Sequence, residues 1–544
     1  MQALEIVVVL LTTVLLLSWV ARRLGIGEPV VLLCGGVLIG LIPHFHAVHL
    51  PSDLVLLIFL PPLLYSESLT ISLHQIRANL RVIMMLSIGL VLSTALSVAG
   101  TGYALGMAWP VAFVLGTVLA PTDATAVAAV AKGMPRRTLT TMRAESLIND
   151  GTALVLFAVA VDSASGAEAF SWGGVVWRFV LSYVGGAAIG AAGAGLVVLI
   201  RRRLHDPVLE SGLSVLTPFA VYLPAELADV SGVLAVVVCG LIISWASPLL
   251  IPANSRMQTF AFWDLASFLL NGALFVLVGV QLPSAVRGLT SLGPGQAILL
   301  AAAVSGTVIA TRLVFLHTTP YLIRALDRRP QQRSRRVGAR QRMPIAWGGV
   351  RGAVSLAAAL AVPTTMKDGG TFHDRDVIVF VTAVVIVVTL LVQGETLPAL
   401  IRWSRLPADP SEDQEELLAR RHTVRAAMKE LESRAELTDA PADVVARLRR
   451  ELEEHADEVG AAEDHDRQLE HELRQAILRA KRGALVSLRN SRRIDDSVLR
   501  RVQETLDAEE VRLALRISAA HAVPVEEPAE QEHEEARHSG HGIW

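Results

Sequence analysis

Asp123, Glu145, Asp150, Arg312 and Arg351 each interrupt a long apolar run. A charge at bilayer depth is costly, so residues of this kind mark ion or substrate pathways. Three acids against two bases leave one negative charge without a partner. That deficit asks for a proton or a small cation, and a site that accepts either can exchange them. The run Glu145-Ser146-Leu147-Ile148-Asn149-Asp150 sharpens the chemistry. At helical spacing Ser146 stacks with Asp150 and Glu145 with Asn149. One face then offers a carboxylate, a hydroxyl and an amide oxygen, hard ligands suited to Na⁺ or Li⁺. Asp150 is the expected exchanging acid, because low dielectric disfavours its lone charge and brings protonation within reach. Asp123 is expected to shape the site or to bind through water. Glu145 is expected to pair with an arginine, since a second lone carboxylate so close would be costly.

The elements that must hold these groups are membrane spans. The chain has 544 residues, 52% of them apolar, and a mean hydropathy of +0.48. Its charged residues gather at one end, so the net charge of -2 averages two unlike parts. Residues 1–404 read as a transmembrane domain, 405–520 as a helical cytoplasmic tail and 521–544 as a disordered C-terminus rich in Glu, Pro and His. The fold class is an all-α polytopic membrane protein with about thirteen spans of roughly 20 residues each, twelve being the alternative if the short runs at 53–66 and 211–225 are re-entrant. The first apolar run lacks a preceding basic residue and reads as a span, not a cleaved signal. Arg22, Arg23, Arg77, Arg81, Lys132, Arg136, Arg137, Arg143, Arg201, Arg202, Arg203, Arg256 and the arginines from Arg324 to Arg342 fall in one set of connections. The other set holds only Arg287, Lys367 and Arg375. That bias predicts the N-terminus outside and the tail in the cytoplasm.

Two spans carry breaks. Pro121-Thr122-Asp123 interrupts the fifth, where proline removes a backbone donor. Pro344 and Gly348-Gly349-Val350-Arg351-Gly352 weaken the twelfth. Unwound backbone at membrane depth is tolerated only against protein or a wet cavity. Each break sits in the middle of a triplet of spans, and the triplets run in opposite directions, which points to inverted repeats crossing at a transport site. Arg351 would offset the carbonyl-rich ends of the half-helices. Ordinary kinks in a receptor or channel, or five charges closed into salt bridges, are the alternatives.

APTDATAVAAV (120–130), ESLINDGTALVLF (145–157), FLLNGALFVLVGVQLP (268–283), GGVRGAVSLAAAL (348–360) and VQGETLPAL (392–400) resemble, in that order, the NHE/NhaP-type sodium/proton antiporters. FLPPLLYSESL (59–69) and LADVSGVLAVVVCGLII (227–243) match further segments of that family. The resemblance implies two crossed, broken helices in an elevator-like fold, a homodimer, and Asp150 as the essential ion-binding carboxylate. It implies Na⁺ bound at Asp150, Ser146 and Thr122, with Asn149 and Asp123 completing the site. It also implies pairing of Glu145 with Arg312. Asn149 stands where electrogenic relatives carry a second aspartate, so exchange would be electroneutral. Ala124 stands where many relatives carry proline. The expected activity is secondary-active Na⁺(Li⁺)/H⁺ antiport in the plasma membrane, with K⁺/H⁺ exchange as the alternative. No resident cofactor and no nucleic-acid partner are expected.

Two readings from other classes remain. An intramembrane aspartyl protease would use Asp123 and Asp150 as a dyad, but its Tyr-Asp and Gly-x-Gly-Asp signatures are absent. A pH-gated channel would pass large currents without coupling. His44, His46 and His49 read as a bland interfacial loop rather than a Zn²⁺ or pH-sensing cluster. His533, His538 and His541 are too loosely spaced in a flexible tail for a metal site. Trp172, Trp177 and Trp347 read as interface anchors or packing residues. Cys34 and Cys239 lie in apolar runs and imply no disulfide framework.

Overall fold

The computed structural model describes residues 2–42, 52–71, 84–131, 133–165, 172–204, 206–326, 338–366, 372, 374–406, 422–433 and 441–457, with 477, 481 and 508 as isolated residues. The three histidines near residue 46, those beyond 530, and most of the arginine-rich stretch before Arg342 lie outside them. The chain divides into two units, Met1–Pro407 and Ala408–Trp544. Of the second, residues 422–433 and 442–457 are helical, carrying an exposed Arg449–Glu432 contact of 3.1 Å. An exposed pair of this kind contributes little to stability.

The first unit is almost wholly helical among its described residues. Its helices are α1 (Gln2–Leu24), α2 (Glu28–Gly40), α3 (Ser52–Thr70), a π segment (Met85–Leu90) leading into α4 (Val91–Ala104), α5 (Trp109–Val118), α6 (Ala124–Val130) and α7 (Arg136–Ala164). There follow α8 (Trp172–Arg201), α9 (Pro207–Leu227), α10 (Gly232–Leu250), α11 (Ala253–Arg287) and α12 (Pro294–Leu326). Then come α13 (Ala339–Trp347), α14 (Ala353–Leu360), α15 (Arg375–Val388), a second π segment (Thr389–Gly394) and α16 (Glu395–Ser404). Among the described residues, eight helical stretches are long and apolar enough to cross a membrane. Three shorter apolar helices, Glu28–Gly40, Trp109–Val118 and Gly232–Ser247, stand beside them, against the expectation of about thirteen spans.

Two run lengths read from the sequence change. The stretch at 211–225 is extended by a start signal upstream. Asp206 accepts from Val208 N (2.7 Å) and Leu209 N (3.1 Å), and Pro207 takes the first helical position, where its missing N–H costs nothing. The helix therefore runs over 21 residues. The run at 53–66 continues to Thr70 despite Pro61 and Pro62, and this carries Glu67 into the helix.

Helix pairs away from the breaks meet backbone to backbone. A Cβ on Gly36 of α2 would lie 2.3 Å from Val276 O of α11, and one on Gly279 would lie 2.2 Å from Leu33 O. Gly186 and Gly190 bring α8 equally close to Ser231 O and Ala235 O at the start of α10. Small residues permit such approach where apolar burial supplies no drive between helices in lipid.

Both expected breaks are present. Helical structure stops at Val118 and resumes at Ala124, and stops at Trp347 and resumes at Ala353. The two unwound stretches lie against each other, with Asp123 N donating to Val350 O at 2.8 Å. Around them pack apolar residues of α4, α5, α12, α14 and α15, including Val98, Leu115, Val304, Ala358 and Val381. Trp347 pins the end of α13 to α16 by donating its indole N–H to Thr396 Oγ1 at 2.8 Å. Trp177 is exposed.

Candidate functional site

The crossing leaves helix ends and backbone groups in the protein interior, and named side chains satisfy them. Asp123 is the N-cap of α6, its Oδ1 accepting from Thr125 N (2.9 Å), Ala126 N (3.0 Å) and Thr125 Oγ1 (2.5 Å). An aspartate there suits the positive end of the helix. Arg351 serves the opposite ends. Its Nε donates to Leu119 O (2.8 Å) and its Nη1 to Gly349 O (2.5 Å), carbonyls just beyond α5 and α13. Its backbone N donates to Thr389 Oγ1 at 3.2 Å. Gly352 has no room for a side chain, since a Cβ would fall 2.0 Å from Asp123 Oδ2.

Helix α7 supplies the facing wall. Ser146 Oγ donates to Thr122 O (2.5 Å) and accepts from Ala124 N (3.3 Å). A proline at position 124 would have no N–H to give. The Asn149 amide is best satisfied with its nitrogen donating to Ser87 O (3.0 Å) and Glu145 O (3.3 Å) and its oxygen accepting from Thr122 Oγ1 at 3.2 Å. Glu145 Oε1 lies 2.9 Å from Arg312 Nη1 of α12, both side chains almost fully buried. Asp150 differs from Glu145, whose Oε2 also lacks a partner but whose Oε1 holds Arg312. It is buried, and its Oδ1 has no hydrogen-bond partner among the described residues.

All of Thr122, Asp123, Glu145, Ser146, Asn149, Asp150, Arg312 and Arg351 thus fall in one layer. The charge count made from sequence needs correcting. Glu67 of α3 lies within electrostatic reach of both Asp123 and Asp150, with the exposed Arg143 also in range. With Glu67 and Arg143 included the set is four acids and three bases, so one negative charge is still left over, and the set now includes a second carboxylate acting on Asp150. Glu67 was hidden because the apolar run of α3 ends just before it. Its signal was the helical register, which carries α3 one turn beyond that run. Ser87 and Thr389 were also unread, and both bond backbone that the breaks or α7 leave in reach.

The arrangement is a buried carboxylate, Asp150, with no ion-pair partner among the described residues, near hydroxyl and amide oxygens and held by an ion pair and two capped breaks. Residues 8–403 match the family model described as sodium/hydrogen exchanger, transmembrane. The chain belongs to the sodium/hydrogen exchanger family. It is 47% identical over 522 residues to an uncharacterized Na(+)/H(+) exchanger of Mycobacterium tuberculosis, covering 94% of this chain and 96% of that protein. It is 33% identical over 394 residues to the Na(+)/H(+) antiporter ApNhaP of Aphanothece halophytica, covering 71% of each. The sodium proton antiporter MjNhaP1 of Methanocaldococcus jannaschii has a similar fold, with a TM-score of 0.58 at 18% identity. That match covers 75% of this chain and all of the MjNhaP1 chain. Family members are transporters, and the multi-pass helical architecture agrees with that class.

Proposed function

We propose that this exchanger is a secondary-active Na⁺(Li⁺)/H⁺ antiporter that trades one cation for one proton at Asp150. The observation carrying this reading is the buried Asp150 Oδ1 without a partner, beside polar groups that already have theirs. A carboxylate so placed is stabilised by whichever of H⁺ or Na⁺ arrives. Ser146 and Thr122 retain oxygen lone pairs for a cation after their present bonds are counted. Asp123 shapes the break as a helix cap, Glu145 and Arg312 tie α7 to α12, and Arg351 neutralises the two free helix ends. Glu67 adds a second carboxylate beside Asp150.

Electroneutrality follows from one exchanging carboxylate: a proton and a monovalent cation carry the same charge through the same site. The spans number about thirteen when each broken or short helix is counted as a crossing of roughly 20 residues. The opposed triplets α4–α7 and α12–α16 form the inverted repeats, the arginine bias places the N-terminus outside and the tail in the cytoplasm, and the protein works as a homodimer in the plasma membrane. The test is cation-induced dequenching of a pH dye in proteoliposomes. Na⁺ and Li⁺ should restore fluorescence equally with and without a clamped membrane potential, and Asp150→Asn should abolish the response. A K⁺-selective response would change the substrate and keep the mechanism. Uncoupled current without dequenching would replace the antiporter with a channel.

A further inference from the structure

Thr152 lies on α7 one turn beyond Asn149 toward Ala164. Its hydroxyl is buried and donates to Ile148 O at 2.9 Å. That uses its only proton, so in the 2.9 Å contact between Thr152 Oγ1 and Tyr183 OH the tyrosine is the donor. Tyr183 is carried by α8 and stacks on Phe179 of the same helix, with ring centroids 5.1 Å apart and an interplanar angle of 28°. Phe179 in turn packs against Val91, Ala120, Ala153 and Leu156. Ala120 immediately precedes the Pro121 break. Two aromatic rings and one hydrogen bond therefore cover the carboxylate layer on the side of the Ala164 end of α7.

The two sides of the layer differ in access. Glu67, Asp123 and Thr125 are only half-buried, whereas Ala120, Ala153 and Leu156 are 1%, 0% and 4% exposed. The covering helix belongs elsewhere. Helix α8 packs closely on α10 through Gly186 and Gly190, but touches α7 lightly. A second polar contact between α7 and α8 is the exposed Arg178–Asp162 pair at 3.4 Å.

We propose that Tyr183, braced by Phe179, is a positioning residue that closes the Ala164 side of the carboxylate layer. Its hydrogen bond to Thr152 must break each time the site turns to that side. This rests on the exchange reading above, because only a site served from both sides needs a seal on one of them. Tyr183→Phe keeps the ring and its stack and removes the donor, leaving Thr152 still bonded to Ile148 O. Tyr183→Ala removes the ring as well.

The experiment measures how fast a water-soluble maleimide labels Leu156→Cys in the purified full chain carrying Cys34→Ser and Cys239→Ala. Ala194→Cys, buried in a separate apolar cluster, reports general loosening in a parallel sample. Labelling at 156 should accelerate about fivefold in Tyr183→Phe, the worth of one hydrogen bond, and further in Tyr183→Ala. The rate at 194 should not move. Equal acceleration at both positions, or no acceleration at 156 in either variant, overturns the seal. If Tyr183→Ala fails to fold, Tyr183→Phe carries the test alone. Na⁺-induced dequenching is read on the same proteins with Tyr183 intact. Its absence alongside selective acceleration at 156 sinks the exchange reading and leaves Tyr183 as a cover over Leu156 with no part in turnover. Its presence with an unmoved labelling rate sinks the seal and leaves exchange.

Discussion

The crossing of 119–123 with 348–352 and the helix pairs α2/α11 and α8/α10 all bring backbones into close contact, by opposite means. In the pairs, glycines let intact helices touch. At the crossing the helices are unwound, and the freed groups are met by Arg351, Asp123, Ser146 and a backbone bond from Asp123 to Val350. The first solution is close packing of unbroken helices. The second is a polar lattice that leaves the buried Asp150 carboxylate without an ion-pair partner among the described residues. The contrast indicates where energy goes into holding the fold and where it goes into poising a charge.

The largest expected effect breaks the lattice at its ion pair. Arg312→Ala leaves Glu145 buried and unpaired, and should destabilise the protein by about 3–5 kcal/mol. Thermal unfolding in detergent reads this, and the double replacement Glu145→Leu with Arg312→Leu should recover most of the loss. Next, glycine substitutions separate the two kinds of contact. Gly186→Ala should cost about 1–3 kcal/mol of stability by overpacking and leave the apparent KM for Na⁺ unchanged. Gly352→Ala puts a Cβ against Asp123 Oδ2 and should abolish exchange. Loss of Na⁺ response in the Gly186 variant at full folding would erase the distinction between pair and crossing. A smaller effect concerns the cap. Asp123→Ala should cost about 0.5–2 kcal/mol, while Asp123→Asn keeps most of that, since asparagine also caps well. The smallest is Trp347→Phe, which loses one bond to Thr396 Oγ1 and should lower stability by about 1 kcal/mol.

What the sequence revealed divides along the same line. The breaks were legible because Pro121 and the Gly348–Gly352 run are local signals. The face of α7 was legible because helical spacing alone sets which side chains share it. Glu67 was not, because the end of an apolar run is a poor guide to the end of a helix. Nor was the Ser146 bond to Thr122 O, since no periodicity reports which distant carbonyl a hydroxyl will find. Phe179 and Tyr183 carry no signal in the sequence beyond that of aromatic residues in an apolar helix, because their neighbours on α4, at the Pro121 break and on α7 are distant in the chain. The start of α9 lay upstream of its apolar run, in a cap and a proline that hydropathy does not weigh.

The central claim is that H⁺ and Na⁺ share Asp150, and the most direct measurement is the apparent KM for Na⁺ as a function of pH in proteoliposomes. Competition for one carboxylate requires that KM rise as pH falls, approaching about tenfold per pH unit once the proton dominates, by reciprocal linkage. The maximal rate at saturating Na⁺ should move far less over the same interval. An apparent KM that stays flat across that range while the maximal rate alone changes would place the two ions at separate sites and contradict the account.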